Sequence, residues 1–297
     1  MKKLTWLSLV GISLGKILLS CQTEHSLDSS SSATSPPQTE IYYQTYTFPN
    51  STIHTVSIPP NSGFILTPAI ESRLSSMTTF VEKFQPIATI NGGFFDPNNQ
   101  KTTSYVIING ELVADPRINE GLVNNPKLAP YMDKILNRSE FRRYQCSLQT
   151  RYDIVLHSEP IPSGCQLVDA LAAGPMLLPD DNSFEEGFID YDNNRVIRDA
   201  LGSTRRNARS AVGITSEGKI ILAMAAQISK APTNSGISLP DLASFLQTLG
   251  VEKAMNLDGG SSSSLYYQGT TIYGKVDIEG NGVQRPIKSV LMVLSEN

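Results

Sequence analysis

Cysteine and histidine are both scarce in this chain: its 297 residues include three of each. Three cysteines are too few for a disulfide scaffold, and no CxxC pair or His/Cys cluster offers a zinc site. The histidines, His25, His54 and His157, stand apart from any glycine-rich corner, and neither a GxSxG elbow nor a P-loop pattern occurs. A Ser-His-Asp hydrolase and a P-loop enzyme are therefore disfavoured. Charge is sparse too, at 18 % of residues, and leans acidic: 24 basic against 28 acidic side chains, a net charge of −4. With no basic stripe, nucleic acid is not an expected partner. No apolar run reaches the roughly 20 residues of a membrane-spanning helix. Glycine (21) and proline (18) occur at ordinary frequency, so the chain is neither collagenous nor wholly disordered. What remains is ample for one large core.

The first residues read as an export signal. Met1-Lys2-Lys3 is a short basic head, and Leu4 to Gly15 is an uncharged apolar run of secretory h-region length. Leu18-Leu19-Ser20-Cys21 resembles a bacterial lipobox, which makes Cys21 the expected lipidation site; an ordinary cleaved signal or an uncleaved anchor is the alternative. Gln22 to Glu40 is rich in Ser, Thr and Pro and nearly free of apolar residues, so it cannot bury enough surface to fold and reads as a tether. The expected organisation is a signal segment over 1–21, a disordered tether over 22–40 and one domain over 41–297. The expected location is the cell envelope or periplasm, with the domain held to a membrane, the outer one, by its lipid. In an oxidising compartment Cys146 and Cys165 can pair, and closing that loop of about 20 residues is worth roughly 3 kcal/mol. Two unpaired cysteines are the alternative, which geometry decides.

Beyond residue 41 strand and helix patterns mix. Ile41–Phe48 and Thr52–Ile58 alternate as strands do, and Gly63–Thr67 is a short third run. Over Glu71 to Gln85, Met77, Phe80, Val81 and Phe84 fall at i, i+3, i+4 and i+7, predicting a helix that Pro86 stops. Ile87 to Ile90 is then an apolar strand running into Asn91-Gly92-Gly93. A second helix is expected from a Ser238 cap, with Asp241 three residues on and Leu242, Phe245, Leu246 and Leu249 on its apolar face. Gly250 ends it, and Val251 to Leu257 follows as a strand running into Asp258-Gly259-Gly260. Hairpins are expected at Asn109-Gly110 and Ser216-Glu217-Gly218, and a last strand at Ile287–Leu294. Pro116 to Cys146 shows no orderly pattern. The expectation is an α+β fold: a mixed multi-stranded sheet with flanking helices in a single catalytic domain. If the two strands ending in glycine corners are parallel neighbours, both corners emerge at one sheet edge, where ligands bind.

Glycine at such corners lets the backbone take φ > 0 and approach a ligand, and consecutive N–H groups can form an anion nest. Asn-Gly and Asp-Gly are also common turn dipeptides. Here two corners follow apolar strands, one leading into Phe94-Phe95-Asp96 and the other into Ser261 to Ser264. Five motifs run in one order: Ile90-Asn91-Gly92-Gly93-Phe94-Phe95-Asp96, Ala173-Gly174-Pro175-Met176-Leu177-Leu178, Arg209-Ser210-Ala211-Val212-Gly213, Asn256-Leu257-Asp258-Gly259-Gly260-Ser261-Ser262 and Gln284-Arg285-Pro286. Together they resemble the phosphodiester glycosidase family from roughly Ile87 to the C-terminus. Ser210 stands where that family usually has Thr, Ser261 where it has a third Gly, and Gln284 where it has Glu before Arg-Pro.

The resemblance implies hydrolysis of the bond between a sugar C1 and a phosphodiester oxygen. The leaving phosphate is a weak base, with a second pKa of about 6, so it needs charge stabilisation more than a proton. Arg209 and Arg285 are assigned to it. The oxocarbenium-like transition state calls for a carboxylate facing C1. Asp258 is the first candidate, as nucleophile or as base for water, and Asp96 the second. Asn91 is expected to bond a sugar hydroxyl or a phosphate oxygen. The N–H groups of Gly92, Gly93, Gly259 and Gly260 would complete an anion pocket, and Ser261 and Ser262 would contact substrate. No cofactor is implied, although Asp258 leaves room for a structural calcium. The expected partner is a phosphate-linked sugar or glycan. A non-catalytic glycan-binding envelope lipoprotein that keeps the pocket is the competing reading. A plain scaffold leaves the five motifs unexplained.

Overall fold

The structure, a computed structural model, describes residues 40–296. The signal segment 1–21 with Cys21, and the tether up to residue 39, lie outside the described residues. Strands hold 46 % of the structure and helices 14 %, and every strand pair among the described residues is antiparallel.

The strands form three large sheets. The first runs in spatial order Tyr42–Phe48, Ser51–Ile58, Ile220–Ala226, Arg209–Thr215, Val251–Asn256 and Met176–Leu178. The second runs Thr270–Tyr273, Ser264–Tyr267, Ala88–Asn91, Ile287–Ser295 and Phe64–Ser75. The third runs Glu111–Ala114, Val106–Ile108, Cys165–Ala172, Ser139–Cys146 and Gln149–Leu156. One core joins them: Val212, Leu222 and Met255 of the first sheet pack with Ile90, Leu265 and Leu291 of the second and with Phe141 and Leu171 of the third.

Helix Leu239–Thr248 covers the other face of the first sheet, setting Leu242, Phe245 and Leu246 on Ala211, Ile221 and Ala223. With both faces covered, Arg209–Thr215 and Ile220–Ala226 are buried at every position, which explains the small and apolar residues that follow Arg209 in the first and fill the second. Its predicted cap is present: Ser238 Oγ accepts from Asp241 N at 3.2 Å, and Gly250 follows the helix at φ 76°. Helix Met77–Phe84 sets Met77 and Phe80 on Ala69, Val290 and Met292 of the second sheet.

The flanking helices match the α+β expectation, but the mixed sheet does not. The fold is richer in sheet, is divided into several sheets, and is antiparallel throughout the described residues. The strands ending in the two corners, Ala88–Asn91 and Val251–Asn256, are not parallel neighbours and belong to different sheets. The first helix starts at Met77, not Glu71, because Phe64–Ser75 extends as one strand along Ile287–Ser295, a distant partner that local periodicity does not report. Pro116 to Cys146 resolves into short helices Glu120–Val123 and Met132–Leu136 followed by strand Ser139–Cys146. Cys146 and Cys165 face each other across two paired strands and are joined in a disulfide.

Candidate functional site

The two corners meet because the first and second sheets pack together. Asp258 N donates to Gly92 O at 3.0 Å, and Asn91 Nδ2 donates to Asp258 O at 2.6 Å. Asn91 is fully buried, and its Oδ1 accepts from Ser210 Oγ (2.7 Å) and Ser264 N (3.1 Å). One side chain thus ties together strands of both sheets and holds the backbone of Asp258. These bonds engage its amide inside the protein and give it the geometry of a residue that positions Asp258.

The Gly92-Gly93 corner is not an anion nest. Gly92 N donates to Ser289 O (2.8 Å), Gly93 N to Ser289 Oγ (3.2 Å) and Phe94 N to Ser104 Oγ (3.1 Å). Glycine is required there by close packing: a Cβ on Gly92 would lie 2.9 Å from the Ser289 carbonyl carbon, and one on Gly93 would strike Ala172 O. Gly260 does need its freedom, at φ 62°, but its N–H donates to Ala208 O at 2.8 Å. Of the four expected glycine donors, only the Gly259 N–H faces the Asp258 carboxylate.

Around that carboxylate the structure gathers a compact group. Arg285 Nη1 donates to Ser261 Oγ at 2.8 Å, and the guanidinium stands 5.2 Å from the centre of the Phe95 ring. Asp258 as a residue keeps some exposure, while its carboxyl is surrounded by protein, which pushes its pKa up to about 6. The Ser262 hydroxyl, the Arg285 charge and the Gly259 N–H pull the other way and lose. A carboxylate poised near neutrality beside a fixed guanidinium is equipped for acid–base or nucleophilic work on an anionic substrate.

Other expected site residues make their hydrogen bonds elsewhere. Asp96 organises its own turn, with Oδ1 accepting from Asn98 N at 2.8 Å, and no hydrogen bond joins it to Asp258. Arg209 is buried, and its guanidinium donates to the carbonyls of Leu201 (3.1 Å), Gly202 (2.8 Å) and Arg205 (3.1 Å). Burial pushes its pKa down to about 10. Its planar fork shapes the 201–205 backbone, and the residue also lines the adjacent cavity. Gln284 is exposed and its side chain bonds to nothing among the described residues.

Sequence reading missed Glu186. It is wholly buried and accepts from Ser139 N (2.9 Å), Ser139 Oγ (2.7 Å) and Met176 N (2.7 Å), bracing the Gly174-Pro175 turn. That turn exchanges Gly174 N to Asn256 O (3.0 Å) and Asn256 Nδ2 to Gly174 O (2.9 Å), just ahead of Asp258. Burial raises the Glu186 pKa. No local signal marks a lone Glu in a loop as a brace for residues ten positions away.

The chain belongs to the phosphodiester glycosidase family, whose model matches residues 84–294. Three solved structures share its fold. One is the catalytic domain of zebrafish N-acetylglucosamine-1-phosphodiester alpha-N-acetylglucosaminidase, auto-inhibited by its pro-peptide: 17 % identity, 88 % of this chain, 84 % of that one and a TM-score of 0.61. A hypothetical protein from Synechocystis matches at 18 % identity over 85 % of this chain with a TM-score of 0.55; the chain spans 61 % of that protein's length. An exported-protein candidate from Burkholderia pseudomallei K96243 matches at 15 % identity over 82 % of this chain and 74 % of that one, with a TM-score of 0.60. No curated protein matches the chain.

Proposed function

We propose that the chain hydrolyses the bond between a sugar C1 and a phosphodiester oxygen in a phosphate-linked glycan of the cell envelope or extracellular space. The observation that carries this is the grouping of one pKa-raised carboxylate, Asp258, with Arg285, Ser261 and Ser262 at a corner locked by Asn91. Asp258 acts at C1, as nucleophile or as base toward water. Arg285 neutralises the charge that develops on the departing phosphate, and Ser261 fixes the guanidinium. Family membership supports the reaction class.

The envelope setting rests on the amino-terminal signal, with Cys21 carrying the lipid and residues 22–40 the reach. No helix among the described residues is long and apolar enough to cross a membrane. The test is release of free sugar from sugar-1-phosphodiesters, headed by an N-acetylglucosamine-1-phosphate diester. Wild type should release sugar. Asp258→Asn should not, and Arg285→Ala should be slower by about 100-fold or more. A folded wild type that binds these diesters without cleaving any would instead establish the glycan-binding lipoprotein.

A further inference from the structure

Arg209 holds the carbonyls of Leu201, Gly202 and Arg205 and so bends the 200–207 segment into one wall of a cavity of about 730 Å³. This is the size of a pocket for a ligand larger than a simple ion. Lys275 and the 233–234 stretch form further wall, and Gln227 fixes both: its Nε2 donates to Pro232 O (3.0 Å) and Ser235 O (3.2 Å), while its Oε1 accepts from Val276 N (3.3 Å). Asn207 links the cavity to the Asp258 corner. Its Oδ1 is 3.5 Å from Lys275 Nζ, and its Nδ2 is 3.5 Å from where a Cβ on Gly260 would stand.

The chemistry of the walls is specific. Arg205, Arg206 and Lys275 all face the cavity, and none makes an ion pair among the described residues. Two carboxylates also line it, but both have protein partners. Asp199 accepts from Ser203 N (3.0 Å) and Ser203 Oγ (3.1 Å), and its charge acts on the buried Arg209. Asp241 accepts from the helix cap Ser238 Oγ at 2.7 Å. Arg205 is close enough to Arg209 to disfavour its charge. With Arg209, four cations line the cavity against these two carboxylates, and the excess of positive charge is stabilised by an arriving anion. Thr204, Thr233 and Asn234 add groups suited to hydroxyls, and the lining offers little apolar surface.

We infer that this cavity is the aglycone subsite and takes a hydroxyl-rich chain bearing a second phosphate beyond the scissile diester. The substrate is then a phosphate-linked sugar or polyol polymer, not a lipid-linked sugar. The inference rests on the glycosidase reading of Asp258, and its test separates the two.

The probe is a short chain of glycerol units joined by phosphodiesters, which contains no sugar C1 and so cannot report hydrolysis. Its binding to the full-length protein is measured by equilibrium dialysis in moderate salt. The wild type should bind it, and Arg205→Ser with Lys275→Ser should weaken binding by about tenfold or more, as loss of a charge-assisted contact to phosphate does. A charge-matched control, Arg195→Ser with Lys127→Ser on exposed surface elsewhere, should bind as wild type. Unbranched glycerol oligomers without phosphate should not compete. In parallel, kcat/KM is compared for one sugar-1-phosphodiester carrying a glycerol phosphate or a decyl aglycone. The first should be preferred, and the double variant should erase the preference. No binding, binding unchanged in the double variant, or preference for decyl would each overturn the inference. Binding as expected with no diester cleaved would keep the subsite and refute the hydrolase.

Discussion

Replacing Asn91 by Ala should cost about 4 kcal/mol of stability, far more than an ordinary polar-to-alanine change. The side chain makes three bonds, to Asp258 O, Ser210 Oγ and Ser264 N, at 2.6, 2.7 and 3.1 Å. At a net value of about 1 kcal/mol each, their loss sets a floor of roughly 3 kcal/mol. The stranded partners add to it, because Ser210 and Ser264 are buried and water cannot replace the missing amide without disturbing the packing between sheets. Ser210→Ala is the contrasting case. It removes one hydroxyl, leaves Asn91 Oδ1 bonded to Ser264 N, and should cost only about 1 kcal/mol. In an Asn91→Ala background the same Ser210→Ala change should cost nothing or stabilise, since it deletes a hydroxyl that no longer has a partner. Urea unfolding of the four proteins at constant m-value measures the coupling directly. A cost below about 1 kcal/mol for Asn91→Ala, or an equal cost of Ser210→Ala in both backgrounds, would refute the role assigned to this residue.

Asp258→Asn should abolish turnover yet stabilise the fold at high pH. The folded carboxyl holds its proton up to about pH 6, whereas an unfolded one releases it near about 3.9. Wild-type stability therefore falls as pH rises from 4 to 6, by up to roughly 3 kcal/mol, and the neutral Asn should show its gain at pH 8 and none at pH 4 in paired unfolding curves. Gly93→Ala should destabilise by about 1–3 kcal/mol in the same assay, because the added Cβ meets Ala172 O and the Ser104 side chain. Reducing the Cys146–Cys165 bridge should cost roughly 3 kcal/mol, read as a lower Tm in reductant, with activity at 25 °C retained because the bridge pins the third sheet and not the corner. In leaving-group series, aryl glycosides with acidic phenols should be cleaved detectably and alkyl glycosides should not, if Asp258 works without a partner acid; equal rates would refute the single-carboxylate scheme.

The local elements were legible in the sequence where local chemistry decides them. Asn109-Gly110 predicts a hairpin and takes φ of 53° and 80°; Ser238 and Asp241 predict a helix start and form it. The sheet architecture was not legible, because antiparallel pairing of Phe64–Ser75 with Ile287–Ser295 is a contact between chain ends. The strand over Ala88–Asn91 and the helix before it look like half of a βαβ unit, yet the next strand in space is the C-terminal one. At the site, motif order marks residues that the structure brings to one corner, but sequence does not show which of their polar atoms the protein itself engages. Arg209 is an arginine in a motif, and nothing local says that its fork closes on four carbonyls. Asn91 and the Gly92-Gly93 amides look free in sequence because Ser210, Ser264 and Ser289, their partners, lie far along the chain.

The proposed reaction uses Asp258 alone at C1, where glycoside hydrolases ordinarily set two carboxylates about 5–9 Å apart, and the leaving group accounts for a scheme with one. A second carboxyl group in those enzymes delivers a proton to an alkoxide that could not depart without it. A phosphate monoester departs as a stable anion, so its requirement is a fixed positive charge; in the proposed reaction Arg285, held by Ser261 and the Phe95 ring, would supply it. The arrangement also accounts for the raised Asp258 pKa. Were the carboxylate paired tightly with Arg285, its pKa would fall and its basicity with it; instead the guanidinium bonds Ser261 and burial prevails at Asp258. Asn91 completes this by fixing Asp258 through its backbone carbonyl, which sets where the carboxylate sits without neutralising it.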